Sequence, residues 1–168
     1  METTLLILFI AFLVFFVIQF VYQSFVFTRF SFVQPKKDTP KSIPVSVIVC
    51  AKNEFENLQK NLPILVAQNY PNYELVLIDD ASNDETLDLL EEYEKQYSFI
   101  KLVKVKNNEA FWGNKKFALT LGIKAAKNEY LLFTDADCCP VSGDWLLHIS
   151  AQFSKEKTIV LGYGAYEK

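Results

Sequence analysis

The sequence predicts an α/β domain, a mainly parallel sheet flanked by helices, preceded by one N-terminal transmembrane helix. Three observations lead there. From Val45 onward, short apolar runs alternate with amphipathic stretches of helical period, the pattern of βαβ units. Three of those runs end in polar clusters that a parallel sheet would bring to one edge. Thr3 to Phe27 carries no charged side chain at all.

Apart from Gln19, Gln23 and small hydroxyls, Thr3 to Phe27 is apolar, and no charge follows until Arg29. At ~1.5 Å per residue it crosses a ~30 Å hydrocarbon layer with some tilt. A cleaved signal peptide would want a basic start, a shorter apolar stretch and small residues at a cleavage site. Met1-Glu2-Thr3 has no positive charge and large residues fill the far end, so a retained anchor is expected. Arg29, Lys36, Lys37 and Lys41 follow the span and only Glu2 precedes it. The positive-inside bias then assigns the rest of the chain to the cytoplasm.

Residues 28–44 read as a juxtamembrane linker, with Pro35, Pro40 and Pro44 among charges and no apolar period. Residues 45–168 then form the α/β domain. Val45 to Cys50 is its first strand. Glu54 to Gln68 carries helix-spaced Leu58, Leu62, Leu65 and Val66, and Pro63 is expected to start a second short helix. Glu74 to Ile78 is the second strand. Ser82-x-x-Glu85 reads as a capping box opening a helix to about Tyr97. Phe99 to Val105 is a strand, Asn114 to Ala126 a helix, and Tyr130 to Thr134 the fourth strand. Asp144 to Phe153 is a further amphipathic helix, and Thr158 to Leu161 a last strand.

Composition narrows the function. With 168 residues and a formal net charge of −3, the chain offers no basic field for nucleic acid. The three cysteines fit a reducing compartment, since Cys138-Cys139 is a vicinal pair and poor disulfide geometry. No Cys/His spacing suggests zinc.

The polar clusters carry the chemistry. Tyr130-Leu-Leu-Phe-Thr-Asp-Ala-Asp-Cys-Cys139 delivers Asp135 and Asp137 at a strand end. Such oxygens suit a hard divalent cation that completes its shell with water and substrate phosphate. They would face one side only while the chain stays extended. The plainer reading makes Asp135 a strand cap and Asp137 a turn former before Pro140. Ala51-Lys-Asn-Glu54 follows the first strand without the Gly-x-Gly-x-x-Gly of a dinucleotide fold. Asp79-Asp80 could accept hydrogen bonds from a base or ribose, or simply form a strand-to-helix turn. In Gly113-Asn-Lys-Lys116, Lys115 and Lys116 oppose the helix dipole. They would suit a phosphate held at that terminus, or be merely solvated. Phe111 and Trp112 before them could stack on a ring or fill the core.

Together, Val45-Ser-Val-Ile-Val-Cys-Ala-Lys-Asn-Glu54, Leu77-Ile-Asp-Asp-Ala-Ser-Asn-Asp84 and Gly113-Asn-Lys-Lys-Phe-Ala-Leu119, followed by Thr134-Asp-Ala-Asp137, resemble the nucleotide-sugar half of a family 2 glycosyltransferase with the GT-A fold. The resemblance runs from about Val45 to the C-terminus. It implies sugar transfer from a nucleotide-sugar donor, a UDP-sugar being expected, with inversion and with Mg²⁺ or Mn²⁺. By position, Ala51, Asn53 and Glu54 match the family's nucleoside pocket, and Asp79 or Asp80 its base- and ribose-binding acid. Lys115 matches a basic residue near the diphosphate, and Asp135 and Asp137 the metal motif. The acceptor, carbohydrate or lipid-linked, is not implied; surface polysaccharide, lipid-linked oligosaccharide and protein glycosylation all fit.

The departures matter too. In this family the acceptor-activating carboxylate, and in processive members a Gln-x-x-Arg-Trp motif, lie well beyond Asp-x-Asp. Only residues 138–168 follow Asp137 here, so the chain reads as a truncated donor half with an unassigned base. Asp144 and Glu167 are its late acids. A membrane-tethered, nucleotide-binding remnant without turnover is the alternative. A phosphatase with Asp135 as nucleophile is a third reading, opposed by the three strands that precede the motif. A receiver-like domain using Asp79-Asp80 lacks the lone phospho-accepting aspartate on a later strand.

Overall fold

The computed structural model describes residues 2–31, 42–106, 115–154, 159–162 and 164. It divides into two compact units, Met1–Lys37 and Asp38–Lys168.

The first unit is one helix, α1 (Glu2–Ser31). By length and composition it can cross a membrane. It continues past Phe27 into the predicted linker, because Thr28-Arg-Phe-Ser31 contains neither glycine nor proline and nothing breaks the helix.

The second unit has strands β1 (Val45–Ala51), β2 (Tyr73–Asp79), β3 (Ile100–Lys104) and β4 (Tyr130–Asp135). The helices between and after them are α2 (Phe55–Val66), α3 (Thr86–Gln96), α4 (Lys115–Ala125) and α5 (Trp145–Ala151). The sheet has the order β3-β2-β1-β4, every described pair parallel. Strand alternation builds two cores. Val45, Val47, Val49, Leu75 and Leu77 pack with Leu58, Leu62, Leu90 and Leu146 from α2, α3 and α5. Ile48, Cys50, Val76 and Ile78 face the other way, onto Ala118 of α4. With both faces covered, β1 is buried along its whole length, which is why, Ser46 apart, it reads as an apolar run rather than as alternation. Gly122 lets α4 lie close to the sheet: a Cβ there would come within 2.3 Å of Ile78 Cδ1.

Three expectations fail for identifiable reasons. Pro63 sits inside a single helix, α2, rather than starting a second one. Its cost, about 3 kcal/mol, is outweighed by burial of Leu58, Leu62 and Leu65 on one face, each contributing about 1.5–3 kcal/mol. The Ser82–Glu85 capping box does not form, and α3 starts at Thr86 without a side-chain cap from its N-cap residue. Ser82 Oγ accepts the Asn53 N–H at 3.0 Å instead, and Asp84 Oδ1 accepts the Thr86 N–H at 3.1 Å. Residues 159–161 carry no strand; a run this short forms one only with a partner edge. Lys36, Lys37, Lys41, Phe111 to Asn114, Thr158 and Glu167 lie outside the described residues.

Candidate functional site

Because every described pairing is parallel, the carboxyl ends of the strands emerge on one edge of the sheet. The register sets Ala51 beside Asp79 and Cys50 beside Asp135. There a cleft of about 310 Å³ is lined by Ala51, Glu54, Asp80, Lys115, Asp135 and Asp137, together with Cys50, Lys52 and Ala136. Most residues singled out from the sequence therefore meet in one place.

Asp79 and Asn53 do not line that cleft. Asp79 is buried, and its carboxylate accepts the Ser82 N–H at 3.2 and 3.4 Å. It closes the turn after β2 and so presents Asp80. Asn53 Oδ1 accepts the Asn83 N–H at 2.8 Å, while Thr86 Oγ1 accepts the Glu54 N–H at 2.9 Å. These bonds lace the loop after β1 to the loop after β2. Asn53 and Ala81 hold positive φ, 55° and 53°, conformations that cost roughly 1 kcal/mol or more and persist only where neighbours enforce them. Asn53 borders a second depression, shared with Asn57, Asn83, Asp84 and Glu85.

The Asp-x-Asp segment turns sharply. Cys138 N–H donates to Asp135 O at 3.1 Å, so the extended alternation that would align the two carboxylates ends at Asp135. Both still line the cleft. The turn is anchored from behind by Asn61 of α2, whose Nδ2 donates to Ala136 O at 2.9 Å. Asn61 escaped the sequence reading; its signal was one buried amide on the Leu58/Leu62/Leu65 face of α2. Cys50 escaped too. Burial, with Asp80 as the next influence, pushes its thiol up to about 11, so it is an inert wall rather than a nucleophile.

Lys115 Nζ lies 2.6 Å from Asp135 Oδ1, both side chains more than half exposed. The hydrogen bond to Asp135 raises the lysine's pKa, against partial desolvation. Four carboxylates and two ammonium groups face the cleft. Such a surface repels a diphosphate unless a cation intervenes. Among the described residues no three side chains are grouped to ligate a metal. Two carboxylates of the Asp-x-Asp segment, Asp135 and Asp137, line the cleft, and Lys115 already holds the first of them.

The sequence profile of glycosyl transferase family 2 matches residues 46–167. The chain belongs to glycosyl transferase family 2. This family 2 chain is 35% identical over 125 residues to the beta-monoglucosyldiacylglycerol synthase of Trichormus variabilis, the match covering 73% of the chain and 26% of that relative. It thus spans about a quarter of the relative's length. Among solved structures it resembles the mannosyltransferase PcManGT of Pyrobaculum calidifontis, in complex with GDP-Man and Mn²⁺. The TM-score is 0.64 at 25% identity, over 78% of this chain and 39% of that one. It also resembles residues 1–349 of S. aureus TarS in complex with UDP-GlcNAc, with TM-score 0.55 and 28% identity over 65% of this chain and 30% of that one. The GT-A fold implied by the three sequence motifs stands on these neighbours.

Proposed function

We propose that this chain is the donor-binding part of a membrane-anchored glycosyltransferase, moving a sugar from a nucleotide donor to an acceptor hydroxyl. The observation that carries the reading is the meeting of Asp80, Lys115, Asp135 and Asp137 in one cleft at the sheet edge of a family 2 chain. A UDP-sugar is the proposed donor, and a carbohydrate or lipid-linked molecule the acceptor. Asp80 accepts hydrogen bonds from base or ribose, held in place by the Asp79 turn, and Ala51, Asn53 and Glu54 shape the nucleoside end. Lys115 exchanges Asp135 for a phosphate oxygen. Asp135 and Asp137 would hold Mg²⁺ or Mn²⁺, which when bound neutralises charge on the departing diphosphate.

Inverting transfer needs a base within hydrogen-bond reach of the acceptor hydroxyl. Asp144 is not among the residues lining the cleft and takes a hydrogen bond from Asn69 at 3.1 Å. The carboxylates that do line it all have donor-side tasks in this scheme. A second reading is a chain that binds donor without turnover. α1 is read as the anchor, with the domain on the cytoplasmic side by the charges Arg29, Lys36, Lys37 and Lys41.

Titration calorimetry of the full chain with UDP and GDP, with Mn²⁺ and with chelator, tests the donor site. Metal-dependent binding of UDP is expected; equal binding with and without metal would sink the Asp-x-Asp assignment. A transfer assay scoring glycosylated product then separates the two readings.

A further inference from the structure

α1 carries two polar groups that anchoring alone does not use. Gln19 and Gln23 are the only amide side chains between Thr3 and Phe27. With Arg29 at the headgroup level, Gln19 lies about 15 Å below it at ~1.5 Å rise per residue, near the middle of a ~30 Å hydrocarbon layer. A glutamine side chain is far too short to reach water from there. Hydroxyls such as Ser24 can bond a carbonyl of their own preceding turn, but an amide has both donors and acceptors to satisfy. Among the described residues neither glutamine has a hydrogen-bond partner, and leaving an amide unpaired in hydrocarbon is costly.

The two amides share one stripe. Phe9, Phe12, Phe16, Gln19 and Gln23 follow each other at intervals of three and four residues, the spacing of a seam between helices crossing at about +20°. Phe12 and Phe16 already stack along it, with ring centroids 6.3 Å apart. Along this stripe Phe9, Phe12, Phe16, Gln19 and Gln23 are all exposed.

We propose that α1 self-associates in the bilayer along this seam, so that Gln19 and Gln23 of one copy hydrogen-bond to those of a second copy. The proposal rests on α1 being a membrane anchor. A second copy is the occupant because an amide is its own complement, donor and acceptor in one group. Two copies inserted in the same direction carry Gln19 at equal depth, as a two-fold interface requires. No charge lies in the seam to push identical helices apart. Interhelical hydrogen bonds of this kind stabilise membrane helix pairs.

The test uses the full chain in phosphatidylcholine vesicles. Flotation with the vesicles and resistance to carbonate come first; a chain that is extracted overturns the anchor reading and this proposal with it. Copies labelled at the N-terminal amine with donor or acceptor dyes are then mixed and energy transfer followed as lipid is added. Transfer that falls on dilution and on competition by unlabelled copies is expected. The Gln19→Leu/Gln23→Leu double variant should associate about five- to thirtyfold more weakly, while Val21→Leu, on the opposite face, should match the parent. Leucine inserts at least as readily as glutamine, so the variant stays in the membrane. An inserted parent without transfer, or a double variant that associates like the parent, overturns self-association through the amides and leaves the anchor standing.

Discussion

At each end of the parallel sheet a lysine meets a carboxylate, and the two pairs do different things. At the carboxyl end, Lys115 and Asp135 lie 2.6 Å apart, both more than half exposed. At the amino end, Lys127 Nζ is 3.7 Å from Glu74 Oε2, and the glutamate side chain is only 5% exposed. Glu74 Oε1 accepts the Ser46 hydroxyl and the Lys127 N–H, each at 2.6 Å, and Ser46 Oγ accepts the Asn128 N–H at 3.1 Å. Oε1 of the buried carboxylate is taken by backbone and hydroxyl donors that tie the chain before β4 to β1 and β2, while Oε2 has no hydrogen-bond partner among the described residues. The exposed one holds a partner it can exchange at little cost, since pairs in water contribute about 0–1 kcal/mol. Burial, not residue type, separates a structural carboxylate from one available to a ligand.

The largest effect should come from the amino end. Glu74→Ala leaves the Lys127 N–H and the Ser46 hydroxyl short of a partner, and should cost about 3 kcal/mol in urea unfolding. A loss below about 1 kcal/mol would make it no better than a surface pair. Next comes pH. The Cys50 thiol titrates near 11 in the fold against 9.0 unperturbed. Between those values the unfolded chain gives up its proton first, so stability is intact below about pH 9 and falls as pH rises. The loss is at most about 2.7 kcal/mol, two pKa units at 1.36 kcal/mol each. Between pH 8 and pH 10.5 the parent should lose stability relative to Cys50→Ala, so that the difference between their unfolding curves shifts toward the variant as pH rises.

At the carboxyl end the effects should fall on binding instead. Asp137→Ala should weaken UDP binding in Mn²⁺ about tenfold, worth 1.4 kcal/mol, with unfolding shifted by no more than about 0.5 kcal/mol. The reverse pattern, a stable Kd and a lost fold, would make Asp137 a structural turn residue. The smallest effect is reserved for Lys115→Ala. Stability should move by less than about 1 kcal/mol and UDP binding weaken a few-fold. An unchanged Kd would mean that the lysine serves Asp135 alone.

Local sequence determined a great deal here. The apolar helix α1, the βαβ order, β1, β2 and β4 to within a residue or two, and the polar strand ends follow from apolar periodicity and from charge. Both depend only on near neighbours along the chain. The family resemblance rested on the same strand-end residues, which a parallel sheet must collect on one edge.

What local sequence left undecided depends on partners distant along the chain. Which of two adjacent acids faces the cleft was settled by Ser82, whose N–H draws Asp79 inward and leaves Asp80 out. Whether Ser82 caps a helix was settled by Asn53, 29 positions earlier, whose N–H takes the hydroxyl. Asn61 found its role only when α2 packed behind the Asp-x-Asp turn, 75 positions away, and Pro63 stayed helical because three leucines hold its helix to the core. A side chain's hydrogen bonds go to whichever donor the packed fold brings near, and each unmade bond in a buried place costs about 1–3 kcal/mol. The sequence thus determined which elements form and which edge carries the polar residues. Only the tertiary structure decided which of those residues face a ligand and which hold the edge together.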